Sequence, residues 1–330
     1  MTASTDRLPA GAAAGTARLP DFFVAGHAKC GTTAIYEMLV SHPQIWMPAV
    51  KEPRYFASDM RRRFTPPRSG PLPETMDDYL ALFRDAPADA VVGEASPSYI
   101  ASHSAPRLIA RHAPRAKIVA IFREPASFLR SLHLQLVQSH VETVRDLRTA
   151  LSLENERAHG RRIPRRSHRP QALQYSDHVR YTTQLRRYHE HFPREQVHVL
   201  IYDDLRADND AVMRGILRFL EVDATIPLAA SEANPSVLIR SQQLEQAMNA
   251  VSAGRGPLSG ALRGPIKALV PRGARRAALR AAREHLVRGE PPAPDDALMR
   301  TLRRRYAEEV RSFGDYVGRD LISLWNYDRQ

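Results

Sequence analysis

DFFVAGHAKCGTTAIYEMLVSH, residues 21–42, decides the fold. DFFVAG is a short apolar run suited to a strand buried on both faces. It breaks at Gly26, and from Thr32 the spacing of Ile35, Met38 and Leu39 is that of a helix. A strand, a glycine-bounded loop and a helix therefore follow one another directly. The same alternation continues downstream. AVVGE (90–94), KIVAIF (117–122) and VHVLIY (197–202) read as buried strands. Helical patterns fill the intervals over 105–112, 127–139, 177–191 and 209–220. Strands alternating with helices predict an α/β fold with a mostly parallel central sheet flanked by helices, a three-layer arrangement. Ligands in such folds bind at the C-terminal ends of the strands.

Composition narrows the ligand. The chain has 330 residues, a formal net charge of +12 and a pI near 10.2, so its partners are expected to be anionic. Nucleic acid is not among the expected partners, because no zinc-finger spacing, basic heptad region or RRM-type motif is present. The 13 histidines show no H-E-x-x-H or similar spacing, and no metal site is expected. No run of about 18 apolar residues occurs, so no transmembrane segment is expected; a peripheral membrane contact stays open. Cys30 is the sole cysteine, which excludes an internal disulfide and points to the cytoplasm. Residues 1–19 read as a flexible Ala/Gly/Pro leader, and 20–330 as a single domain. Two Arg-rich stretches, 145–169 and 252–290, read as inserts: solvated surface, or a basic lid over an acidic acceptor. Lysine stands only at Lys29, Lys51, Lys117 and Lys267 among 48 basic residues. Two of the four flank the candidate site, where a compact ammonium fits better than a planar guanidinium.

GHAKCGTT (26–33) carries two glycines four residues apart, followed by paired threonines. Backbone N–H groups of such a loop converge on a phosphate at the helix N-terminus. In the nucleotide-triphosphatase pattern G-x-x-x-x-G-K-[ST], lysine follows the second glycine. Here that position is Thr32, and the lysine is displaced into the loop as Lys29. AGHAKCGTTAIYEMLVSHPQI resembles the 5′-phosphosulfate segment of sulfotransferases that use 3′-phosphoadenosine 5′-phosphosulfate, most of all the bacterial and heparan sulfate sulfotransferase-like branch. The resemblance implies a P-loop-type fold in which Lys29 meets the 5′-phosphate and the oxygen bridging to sulfur. Cys30, Gly31, Thr32 and Thr33 would cradle the phosphate.

FREPASFLRS resembles the family's 3′-phosphate segment, implying that Arg123 and Ser131, eight residues on, grip that phosphate. An Arg fork can bond two phosphate oxygens at once. By the same resemblance Tyr202 borders the nucleotide, and Asn234, Ser236, Arg240 and Ser241 of ANPSVLIRS belong to a loop folding over the adenosine. The C-terminal VGRDLISLW matches the family's usual ending and is expected to pack. KEPRYFASD (51–59) resembles the stretch that supplies a glutamate base in the heparan sulfate branch. That implies Glu52 as proton acceptor, with Lys51 orienting it or stabilising the transferring group. In the cytosolic branch the base is a histidine, which leaves His27 and His133 as alternatives. At GEASPSY (93–99) the glycan enzymes often carry a lysine where this chain has Ala95, while Glu94 and Ser96 stay as pocket residues. The implied activity is sulfuryl transfer to an acceptor hydroxyl on a natural product, glycolipid or carbohydrate, without a catalytic metal and with 3′-phosphoadenosine 5′-phosphate as product. A P-loop small-molecule kinase and a non-catalytic nucleotide- or polyanion-binding protein are the alternatives.

Overall fold

A computed structural model describes residues 18–60, 72–165, 167, 170–229, 238–239, 288–289 and 293–328. Two compact units are distinguished: Met1–Arg123 with Arg180–Ala233, and Glu124–Val179 with Asn234–Gln330.

The first unit carries a parallel five-stranded sheet in the order β2-β3-β1-β4-β5. Its strands are β1 (Phe22–Gly26), β2 (Ile45–Trp46), β3 (Val91–Ala95), β4 (Lys117–Phe122) and β5 (Val197–Ile201). The four expected strands are present, and β2 is an addition that two residues of pattern could not announce. β1 lies at the centre with every residue buried, pairing β3 on one side and β4 on the other. Gly93 is required here because a Cβ would sit 2.1 Å from the ring of Phe22. After β1 the chain runs through helix α1 (Thr32–Val40) to one edge, and after β3 it crosses to the far side of β1. Strand order thus reverses around β1, which is where such sheets open a crevice for ligands.

Helices α2 (Met76–Ala81), α3 (Ala105–His112), α8 (Tyr181–His189), α9 (Tyr202–Ala207) and α10 (Asn209–Leu220) complete the unit. The helix expected over 177–191 is interrupted: α7 (Tyr175–His178) ends, Arg180 takes a non-helical ψ of 59°, and α8 starts afresh. Tyr202 does not extend β5; it opens α9. Arg18, at the end of the expected leader, bonds the carbonyls of Ala88 and Ala90 and the carboxylate of Asp21.

In the second unit α4 (Pro125–Gln138) starts with proline at its first turn and is capped by Glu124, which accepts from the amides of Ala126 and Ser127. The helices α5 (Leu147–Ser152) and α6 (Glu154–Ala158) occupy the first Arg-rich stretch. Arg157 from that stretch is fully buried in a two-pronged ion pair with Glu142, at 2.7 and 2.9 Å. One arginine of the expected solvated surface is therefore core. A helix over Asp296–Val317 buries Leu298, Leu302, Tyr306, Val310 and Phe313, and Leu321 and Trp325 of VGRDLISLW are buried as well. Among the described residues no helix is long and apolar enough to cross a membrane.

Candidate active site

The loop between β1 and α1 uses left-handed backbone twice, at Lys29 (φ 70°) and Gly31 (φ 86°). Such a conformation costs an L-residue roughly 1–2 kcal/mol, so it persists at Lys29 because neighbours enforce it. One of them is Arg123, at the end of β4, whose Nη1 donates to the Lys29 carbonyl at 3.0 Å. The same guanidinium lies 4.7 Å from the ring centroid of Tyr202. Gly31 caps α1 without any side-chain hydrogen bond, and no acid sits in the first turn. The first-turn amides of Thr32 and Thr33 therefore present the positive end of the helix unopposed. Burial, and then the charge of Arg123, lower the pKa of the Lys29 ammonium. Among the described residues no carboxylate pairs with Lys29. An anion placed here would meet the helix end and the ammonium together. Burial pushes the Cys30 thiol up to about 12, so the side chain stays neutral.

Helix α8 lies across the ends of two strands. The Tyr181 hydroxyl donates to the Arg123 carbonyl at 2.9 Å, and one turn on the Gln184 side-chain oxygen meets His27 Nε2 at 2.8 Å. His27 is thus a buried tie between β1 and α8, with its Nε2 already engaged. In the second unit His133 is similarly occupied, its Nδ1 by Tyr175 and its Nε2 by the Arg145 carbonyl. Ser131 is in that unit too, buried on α4.

Residues 51–56 form a second loop, docked on the C-terminal end of β3 and on the short 3-10 turn Pro97–Ile100. Glu52 N–H donates to the Ala95 carbonyl at 3.0 Å, Arg54 N–H to Ser96 Oγ at 3.0 Å, and Phe56 N–H to Tyr99 Oη at 3.3 Å. Glu52 and Arg54 are left-handed, with φ of 62° and 56° on either side of Pro53. That folding back brings two cations onto one carboxylate: Lys51 Nζ donates to Oε1 at 2.9 Å, and Arg54 to Oε2. Although burial opposes it, these cations hold the Glu52 carboxyl down at about 2. Glu94, one residue before the docking carbonyl, is completely buried.

The family described as sulfotransferase domain matches residues 19–248. The chain belongs to this family. A crystal structure of a sulfotransferase from Alicyclobacillus acidocaldarius superposes with a TM-score of 0.57 at 28% identity, over 80% of this chain and 99% of that one. Among curated relatives, the human bifunctional heparan sulfate N-deacetylase/N-sulfotransferase 3 is 30% identical over 215 residues, 62% of this chain and 22% of the relative. Mouse carbohydrate sulfotransferase 15 is 29% identical over 160 residues, 37% of this chain and 28% of the relative. The chain thus spans about a quarter of the length of these relatives. The parallel sheet and the loop after β1 match the P-loop-like fold expected of a sulfotransferase.

Of the residues singled out in the sequence, Lys29, Cys30, Gly31, Thr32, Thr33, Lys51, Glu52, Arg123 and Tyr202 all belong to the first unit. Asn234, Ser236, Arg240 and Ser241 lie outside the described residues, as does nearly all of 252–290. Sequence reasoning passed over Arg54, Tyr79, Tyr99, Tyr181 and Gln184. Arg54 stood within the quoted KEPRYF, and its position two residues from Glu52 was the available signal. The others act across the fold and leave no local pattern.

The residues present fit the phosphate end of a sulfotransferase donor, since an uncapped helix and an ammonium without a carboxylate partner face the same loop. Gly31 tests that fit. A Cβ there would stand 2.8 Å from Leu205 Cδ2 and 3.3 Å from the Tyr202 ring, in a backbone region costly for any L-residue. Gly31→Ala is expected to weaken donor-nucleotide binding about tenfold or more while the sheet stays folded, about 1.4 kcal/mol of lost loop geometry. Calorimetric titration with 3′-phosphoadenosine 5′-phosphate, beside a circular dichroism melt, measures both.

Proposed function

We propose that this chain transfers a sulfuryl group from 3′-phosphoadenosine 5′-phosphosulfate to an acceptor hydroxyl, with Glu52 accepting the proton. The observation that carries the reading is the pairing of an anion-ready loop at Lys29 with a carboxylate held ionised at Glu52, both at the C-terminal side of one parallel sheet. When bound, the donor supplies the sulfuryl group and departs as 3′-phosphoadenosine 5′-phosphate. The amides of Gly31, Thr32 and Thr33 hold the phosphate end. Lys29 sets a positive charge beside the bridging oxygen, where negative charge grows as the S–O bond breaks. Arg123 keeps the Lys29 backbone in place and sets its positive charge beside the nucleotide site, against the Tyr202 ring. As the acceptor oxygen bonds to sulfur, its proton passes to Glu52. Lys51 and Arg54 fix that carboxylate in one orientation.

The named relatives act on carbohydrate or heparan sulfate, which makes a carbohydrate or glycolipid hydroxyl the first acceptor class to try. A cytoplasmic setting is proposed with it, from the single buried cysteine. The test is mass spectrometry of an acceptor panel incubated with the phosphosulfate donor. The expected product is heavier by one sulfate and forms in step with 3′-phosphoadenosine 5′-phosphate. Phosphate transfer from Mg-ATP, with no sulfate transfer from the phosphosulfate, would overturn the reading.

A further inference from the structure

Glu94 has no part in the chemistry above, yet it is the most enclosed carboxyl of the first unit's polar residues. It sits on β3 with no exposed surface. Oε2 accepts from Tyr99 Oη at 2.7 Å and from Tyr79 Oη at 3.1 Å. Oε1 has no hydrogen-bond partner among the described residues. Each of the two tyrosines also holds one residue of the loop that carries Glu52. Tyr99 Oη accepts the Phe56 N–H, and the ring of Tyr79 stacks on Tyr55 with centroids 4.7 Å apart. The loop is therefore joined to the Glu94 carboxyl through these two tyrosines.

We propose that Glu94 is a positioning residue, fixing the 51–56 loop, and with it Glu52, through Tyr99 and Tyr79. This rests on the reading of Glu52 as proton acceptor. The groups facing Glu94 are Tyr79 from α2, Tyr99 and Ser96 from the turn after β3, Glu52 from the loop, and Tyr188 from α8. The nearby cations serve other groups: Lys51 and Arg54 pair with Glu52, and Arg187 neighbours Tyr188. Burial, reinforced by the charge of Glu52 and opposed by the surrounding hydroxyls, pushes the Glu94 carboxyl up to about 7. Ionised, it strengthens both tyrosine hydrogen bonds and tightens the loop, since charge-assisted bonds are the stronger kind. Its effect on folding runs the other way. A folded-state pKa raised above the unfolded value gives stability that is complete below about 4.5 and is lost as pH rises through about 7.

Two opposite pH trends are therefore expected: urea stability falling between about pH 4.5 and 7 and levelling off above, and kcat climbing through about pH 7. Glu94→Gln keeps an oxygen for both hydroxyls and cannot titrate, so both trends should flatten while donor KM stays within about twofold. Tyr99→Phe removes the link to Phe56 and should lower kcat about tenfold at unchanged donor KM, the equivalent of about 1.4 kcal/mol. The pair should be non-additive in a double-mutant cycle. If Glu94→Gln does not fold, the kcat-against-KM split in Tyr99→Phe and Tyr79→Phe decides the matter. Unchanged kcat and pH profiles in the variants, while Glu52→Gln abolishes turnover, would overturn the positioning role alone. Full turnover in Glu52→Gln would instead remove the reading on which it rests.

Discussion

Lys29→Ala is expected to lower kcat by about 10²–10³-fold, the usual cost of losing one preorganised charge at the position where negative charge develops. Donor affinity should fall less, because the helix-end amides that hold the phosphate are untouched. Two further substitutions separate the side chain from its backbone. Lys29→Gly also removes the ammonium but relieves the left-handed φ of 70°, and should be more stable than Lys29→Ala by about 1 kcal/mol while being equally inactive. Lys29→Arg keeps the charge on a wider, planar head that Arg123 already crowds, and should recover only a small part of the rate. Single-turnover kinetics with saturating donor, alongside urea unfolding, distinguishes these results. Near-normal kcat in Lys29→Ala would remove the lysine from the chemistry.

The fold was legible where pattern and length coincide. β1, the loop and α1 show an apolar run, a glycine break and helical spacing; α3 and α10 match their expected ranges because their apolar stripes are regular. β2 escaped because two residues, Ile45 and Trp46, carry no periodicity. The helix over Asp296–Val317 was not among the expected elements, although Leu298, Leu302, Tyr306, Val310 and Phe313 recur at helical spacing. At the site the contrast is sharper. Lys29 and Glu52 could be picked out because their neighbours in sequence carry the motif. The support beneath Glu52 could not, because Tyr79, Glu94 and Tyr99 meet residues 51–56 only across the fold. Local sequence shows which groups carry the chemistry, and long-range packing shows what holds them still.

Glu52→Gln is expected to reduce kcat by about 10²–10⁴-fold, the span usual for a positioned proton acceptor, with donor Kd within about threefold. A carboxyl held down at about 2 by Lys51 and Arg54 is a feeble base toward a free alcohol. The alcohol is not free when the proton moves, however. As its oxygen bonds to sulfur it becomes cationic, and its proton grows more acidic than that of a carboxylic acid. A carboxylate of low pKa still takes that proton downhill, and it has the advantage of being ionised well into the acid range. The activity should therefore show no acidic limb from Glu52 between about pH 4 and 9, and a limb near 7 belongs to Glu94 instead. Glutamine also leaves Lys51 and Arg54 facing each other without their shared anion, so urea unfolding must accompany the kinetics. A variant that is folded, binds donor normally and turns over slowly at all pH values carries the assignment. One that turns over normally but loses donor affinity would show that the Lys51–Glu52–Arg54 cluster serves the nucleotide and that the proton goes elsewhere.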